Sequence, residues 1–426
     1  MRLKIYIVAT LISVSAAQAT DIHTLLDRLE HRHESKLDML SVEQSSLAKE
    51  SLSDKLMPTV NIFGGYEVYS SPNGLLPVAP NELITMVKDQ SIGQPFSKQI
   101  MREGIKFTWP IFIKSITTLK AKADLLHLAS KDKKRLNLYQ RQAVIVGAMA
   151  QLQYLEALKS ALEVKKHSIL QTESTTKLKV REGRVPQSAL FTLNAHINDL
   201  DISMNNIEQN INKLLSKIEA LTGISLKKSV PLRLKRDVHR GNIFALKALQ
   251  KRIEASQKGI KASTEAYYPT VVTKGNYSYS QGDAYNNDDR MSEHFGSAGI
   301  YIDVPLFDSS KSTNKQIAKL EYMQNKTKYE QTRDNLSVEA KQIEKEIKLL
   351  KKSILLSKKS VAEQEKLLRI AKVSLENEEI TQEEYLRYED ALANAKANLY
   401  SFHAKKWEDI AKLAVIYGDN LKGVVR

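Results

Sequence analysis

The residues able to do covalent or metal chemistry are sparse in this chain. There is no cysteine. That excludes disulfide scaffolds, thiolate metal sites, cysteine catalysis and a lipidated N-terminal cysteine. His31 and His33 stand two apart on a predicted helix, a spacing that does not put them on one face; they read as a solvated pair, not as metal ligands. No glycine-rich nucleotide loop, G-x-S-x-G elbow or H-E-x-x-H helix is present. Asn276-Tyr277-Ser278 spells a glycosylation sequon but falls in a predicted strand. No catalytic residue, metal or cofactor is expected. What remains is charge gathered at turns. Lys177, Lys179, Arg181 and Arg184 make one turn basic, and Glu376, Glu378 and Glu379 make another acidic. The two sets either pair or stay solvated, and exposed pairs contribute little. Thr381-Gln382-Glu383-Glu384 has the pattern of a capping box that opens a helix. Residues of this kind position, gate or dock; they do not react.

The elements that carry these turns follow from composition and patterning. The chain has 426 residues, 42% hydrophobic, 27% charged and 7% aromatic. That length suits two or three domains, and the apolar fraction is enough for a sizeable core. Ten prolines and sixteen glycines are few for this length and favour long helices. Lys and Arg outnumber Asp and Glu by 64 to 49, a formal charge of +15. Such a balance suits nucleic acid, an anionic membrane face or an acidic partner. The first segment narrows the choice. Arg2 and Lys4, the apolar run from Ile5 to Val14, and Ala17-Gln18-Ala19 form a signal peptide over residues 1–19. Export makes nucleic acid an unexpected partner. No later run is long and apolar enough for a transmembrane helix. The most apolar, Ala143 to Ala150, reads as a buried helix face.

The chain is written twice. Trp109-Pro110-Ile111-Phe112 resembles Val304-Pro305-Leu306-Phe307. The turns at Gly183-Arg184-Val185-Pro186 and Glu378-Glu379-Ile380-Thr381, and the ends at Gly223 and Gly418, stand at the same offset as the two prolines. Each copy reads helix, strand, loop, strand, very long helix, turn, helix. Strands are predicted at about 59–70 and 104–112 in the first copy, and at about 270–280 and 295–307 in the second. Ile105, Phe107, Trp109 and Ile111 share one face of the alternation, opposite Lys106 and Thr108. Ile300, Ile302, Val304 and Leu306 share the matching face, opposite Tyr301 and Asp303. This period of two over about ten residues fits a membrane β-strand, and equally a half-buried soluble hairpin. Each stretch from proline to turn would span on the order of 100 Å as helix. The second carries a heptad seam: Tyr322, Leu336, Ala340, Ile343, Ile347, Leu350, Ile354, Val361, Leu368 and Leu375. Pro110 and Pro305 are expected in the first turn of these helices.

Four strands cannot close a barrel, and an open sheet edge is not tolerated in lipid. If the strands lie in a membrane, several chains must share one barrel. At this point the whole mature chain resembles the TolC-like outer-membrane efflux and secretion channels. The resemblance is carried by the signal peptide, the duplicated plan, the two strand-to-helix prolines and the two hairpin tips. It implies a mainly α fold with a small β part. The assembly would be a homotrimer whose twelve strands form one outer-membrane β-barrel on a long periplasmic α-helical tunnel. It implies a passive exit duct, docked to a periplasmic adaptor and to an inner-membrane RND or ABC transporter, and no enzyme activity.

The same resemblance divides the chain into residues 20–223, a basic linker over 224–243 that resembles an equatorial collar, and residues 244–426, with tips at about 183–186 and 378–381. Segments 70–104 and 281–294 would be extracellular loops, and the second collar element is expected to be minimal. By resemblance, Gly183, Arg184, Val185, Glu379, Ile380 and Thr381 dock the adaptor. Ile105, Phe107, Trp109, Ile300, Ile302 and Val304 face lipid. Glu384 takes a ring position at the tunnel entrance, and Arg387 takes the next in place of the usual acid. Capping and ring roles for Glu384 are compatible. The closing network of the family joins a tyrosine, an arginine and an aspartate; the matching positions hold Leu375, Ile380 and Ala189, so it is not carried over. The competing reading is a periplasmic coiled-coil scaffold or adaptor whose strands form a soluble domain.

Overall fold

The computed structural model describes residues 21–89, 91–377 and 379–426; the expected signal peptide lies outside them. The helices are α1 Ile22–Arg28, α2 His33–Asp54, α3 Pro80–Lys88, α4 Lys114–Arg181, α5 Gln187–Thr222, α6 Lys247–Glu265, α7 Ser309–Glu376, α8 Gln382–Tyr417 and α9 Leu421–Val424. The strands are β1 Thr59–Gly74, β2 Phe96–Ile113, β3 Thr270–Asp283 and β4 Arg290–Asp303. The doubling is visible in the lengths. Both α4 and α7 have 68 residues, and both α5 and α8 have 36. The chain divides into two compact units.

The sheet unit comprises Ser41–Lys131 and Ala248–Tyr329. Its strands form one antiparallel sheet in the order β1-β2-β3-β4. The strands exceed the expected lengths at the loop end, so much of the segments 70–104 and 281–294 is ladder. The first of these segments also holds α3. The expectations at the helix junctions need correcting. Pro110 does not open α4. It lies in β2 opposite Val272, beside an irregularity between Pro110 and Phe112. A residue with no ladder N–H to lose belongs at such a bulge. Past the bulge, Phe112 and not Ile111 pairs with Val271. β4 stops at Asp303, so Val304, Pro305 and Leu306 lie in a connection and not in a strand. α7 starts after Asp308, whose carboxylate accepts the Ser310 N–H at 2.9 Å. An aspartate cap supplies what the helix start needs.

The helical unit comprises Met1–Leu40, Asp132–Lys247 and Glu330–Arg426. Its main core joins Leu25 and Leu26 of α1, Ile145, Met149 and Leu152 of α4, Ile211 and Ile218 of α5, and Trp407 and Ile410 of α8. The run 143–150 is thus largely buried, as its composition suggests. On α7, Ala340, Ile343 and Ile354 of the predicted seam are buried. Ala340 and Ile343 pack with Leu413 and Ile416 of α8. A second apolar stripe on α7, with Leu349, Leu356 and Ile370, stays exposed. The basic linker lies along the end of the chain. Leu234 bridges Val425, and Arg236 holds Asp419 through two 2.6 Å bonds. Burial pushes the Asp419 carboxyl up. Bonds from Arg236 and from the His239 N–H outweigh that and leave it below the usual range.

Candidate functional site

Two places answer to the predicted site residues: the faces of the sheet and the hairpin tips. On the sheet, residues opposite each other share a face. One set of rows runs Ile62–Ile105–Tyr277–Gly296, then Val60–Phe107–Gly275–Ala298, then Trp109–Thr273–Ile300, then Phe112–Val271–Ile302. Five of the six predicted lipid-facing residues, Ile105, Phe107, Trp109, Ile300 and Ile302, are therefore brought onto one surface, while Val304 lies beyond it. That surface is apolar and open: Ile62 is 86% exposed, Ile300 69% and Ile302 67%. At one end stand Tyr66, Tyr279 and His294, the last two rings 4.9 Å apart. At the other end Trp109 donates its indole N–H to the Leu56 carbonyl at 3.2 Å. From the Tyr66 row to the Phe112 row is roughly 36 Å along the strand, and roughly 28 Å in height at a tilt of ~40°.

The opposite face is polar. Its rows include Asn61–Lys106–Asn276–Ser297 and Thr59–Thr108–Lys274–Gly299. Among the described residues, neither the outer edge of β1 nor that of β4 pairs with another strand. The alternation of β2 showed Lys106 on this face in advance; Lys274, alone amid neutral residues, was missed.

At the first tip, Gly183 has φ 74°, and the Arg184 and Gly183 N–H groups donate to the Lys179 and Val180 carbonyls at 2.9 and 3.0 Å. This is a Schellman closure, for which glycine is the least strained residue. Arg184 is exposed and pairs with Glu182 of its own turn at 3.2 Å. Val185 is half-buried. The second tip is closed by a side chain. The Glu384 N–H donates to Thr381 Oγ1 at 3.2 Å, and the Thr381 N–H donates to Glu384 Oε2 at 2.8 Å. The predicted capping box is present. The Thr381 bonds, chiefly its backbone N–H, hold the Glu384 carboxyl below its ordinary value. Arg387 pairs with Glu383 at 2.9 Å, one turn back, and not with Glu384. Glu379 and Thr381 are exposed and Ile380 is half-buried.

Higher on the same hairpins is a cluster that the sequence did not announce. Glu389 of α8 is only 9% exposed. Burial pushes its carboxyl up, against hydrogen bonds from Ser168 of α4 and from Tyr385. Lys165 of α4 pairs with Asp390, and Ile169 packs near Leu386. The only advance signal was two consecutive acids in a helix, which is common on any solvated helix. No group of acidic and histidine side chains among the described residues is arranged to hold a metal. No described helix is long and apolar enough to cross a membrane.

Residues 239–418 match the family model described as Outer membrane efflux protein. Over more than nine-tenths of its length the chain shares its fold with solved outer-membrane channels. With VceC from Vibrio cholerae the TM-score is 0.74 at 14% identity, covering 93% of this chain and 96% of that one. The Campylobacter jejuni CmeC outer membrane channel gives 0.73 at 14%, covering 95% and 85%. The Neisseria gonorrhoeae MtrE channel, solved in its open state, gives 0.73 at 15%, covering 95% and 90%. No curated protein sequence matches the chain. The resemblance to the TolC-like channels, drawn from prolines, tips and doubling, therefore stands, and the fold is theirs over both repeats.

Proposed function

We propose that the chain is one third of an outer-membrane exit duct. Three copies close a twelve-stranded barrel through β4-to-β1 pairing, and their helical units form a periplasmic tunnel. The observation that carries this is the sheet: an exposed apolar face, a polar opposite face and two unpaired edges. In water such a face would be an association hazard, and in lipid the edges would each leave backbone groups unsatisfied. Closure of a ring meets both demands at once. The strands alternate in direction, so β4 of one copy meets β1 of the next antiparallel, and any number of copies gives an even strand count.

The duct moves solutes passively. The drive comes from an inner-membrane RND or ABC pump acting through a periplasmic adaptor. The adaptor docks at the tips, on Gly183, Arg184 and Val185 in one turn and Glu379, Ile380 and Thr381 in the other. Glu384 and Arg387 line the entrance. The exposed stripe of α7 is the seam between neighbouring copies. The test is fractionation of exporting cells followed by native mass spectrometry of the detergent extract. A heat-modifiable three-chain species in the outer membrane is expected. A soluble periplasmic monomer would overturn the reading and favour a coiled-coil scaffold.

A further inference from the structure

We infer that Lys106 and Lys274 form an anion-binding belt at mid-height of the pore, which selects for anionic solutes; this rests on reading the polar sheet face as the lumen wall. The two lysines lie in successive rows of that face, on the central strands β2 and β3. Both are exposed. Their two rows otherwise hold Thr59, Asn61, Thr108, Asn276, Ser297 and Gly299, so no carboxylate lies in them. Each ammonium is held against an aromatic ring: Lys106 Nζ is 4.3 Å from the Phe63 centroid, and Lys274 Nζ is 5.3 Å from that of Tyr301. A ring face attracts the cation without cancelling its charge. The heads are thus positioned on this face while their charge remains free to act on a solute.

The other charges of this face stand apart. Arg102 and Glu293 share a row, and Arg102 reaches Glu67 at 3.7 Å. Asp303 is at the far end, opposite Thr270. The Arg102 row and Asp303 are each four residues from the nearer lysine row, or ~13 Å along the strand. That exceeds the ~10 Å screening length at 0.1 M salt. Mid-height of the pore therefore carries two positive charges per copy and no local negative one. Three copies would give a belt of ammonium groups two rows deep. Charge of one sign on a confined wall raises the local concentration of the opposite ion. The solutes favoured are carboxylates, phosphates or sulfates, which accept hydrogen bonds from ammonium donors.

The test uses the full-length channel in planar bilayers under a KCl gradient, with inorganic phosphate as the added probe. The parent is expected to pass chloride in preference to potassium and to be partly blocked by phosphate. The double variant Lys106→Gln/Lys274→Gln should lower the chloride-to-potassium permeability ratio by about threefold and relieve the block. Because the chain has no cysteine, Lys274→Cys gives a unique thiol. On one assembled channel, an aminoethyl thiol reagent should restore the ratio, and a neutral reagent of like size should not. Conducting channels whose ratio and block ignore all these changes would overturn the belt and leave the duct intact. Absence of any conductance from the parent would overturn the duct, and the belt with it.

Discussion

The two repeats follow one plan and solve its joints differently. β2 runs straight into α4 with Pro110 still in the ladder; β4 ends early, and Pro305 sits in a connection closed by the Asp308 cap. The first hairpin turns on the left-handed Gly183, the second on the Thr381–Glu384 box. The first repeat places α3 between its strands, whereas β3 and β4 join through a tight turn with Asp288 at φ 63°. The matched family segment, residues 239–418, falls on the second repeat and the end of the linker. What the copies share is the alternation of faces and the lengths of the helices. Pattern and length, more than particular residues, therefore carry the architecture.

The largest expected effect tests whether both copies build one continuous lipid-facing surface. Phe107→Arg in the first copy and Ile302→Arg in the second should each cost up to ~2–4 kcal/mol at the bilayer midplane, less toward the rim. The measurement is recovery of folded, membrane-inserted assembly. Thr108→Arg and Tyr301→Arg, on the other face, should be tolerated. If one copy proves indifferent to side, its strands do not face lipid.

Next come the two helix ends. Gly223 and Gly418 share φ 73°, so alanine strains both. A Cβ at Gly418 would lie 2.3 Å from Phe244 Cγ, a ring packed in the core, whereas at Gly223 it would meet the Arg32 guanidinium at 2.8 Å, which can swing away. Gly418→Ala should cost about 2–4 kcal/mol, and Gly223→Ala about 1–2 kcal/mol. Thermal unfolding of the two variants decides; equal losses would mean that backbone strain alone sets the cost.

The tips should differ by less. Thr381→Ala removes the box and should cost about 1 kcal/mol, read as faster amide exchange in the first turn of α8. Gly183→Ala meets open space and pays only for its positive φ, about 1–2 kcal/mol. Exchange should quicken only at the tip that is changed.

The smallest effect is one of pH. Glu384 and Glu389 lie on one helix with opposite shifts. The Glu384 cap acts above the ordinary carboxylate range and is lost as pH falls through its lowered pKa. Buried Glu389 favours the folded hairpins when protonated, so its contribution is complete below the ordinary range and is lost as pH rises through its raised pKa. Acid should fray the start of α8, and rising pH should loosen its contact with α4. Amide exchange across that range, with Glu389→Gln as control, should show the second change vanish in the variant.

Much of this was legible because period-two and heptad patterns are imposed by burial and survive in a single sequence. The seam on α7, the cap at Thr381 and the shared faces of Ile105 and Ile300 all follow from such patterns. The joints were not legible. Pro110 at a bulge and Pro305 in a connection suit proline as well as a first helical turn does, and only pairing tells these apart. Val304 and Leu306 continue the alternation past the last ladder bond, so pattern alone overran the strand. Glu389 and Lys274 drew no notice because single charges on helices and strands are ordinary. Their meaning comes from neighbours far away in sequence: Ser168 for one, Lys106 and Tyr301 for the other.

The central claim is that three copies close one barrel through β4 and β1. Since the chain has no cysteine, single cysteines at Ile62 or Gly64 of β1 can be combined with cysteines at Gly296, Ala298 or Ile300 of β4, and the membranes oxidised. Some pair should give a disulfide between copies, with a ladder of one, two and three chains that stops there and collapses on reduction. A ladder running past three chains, or no link between copies for any pair, would contradict closure.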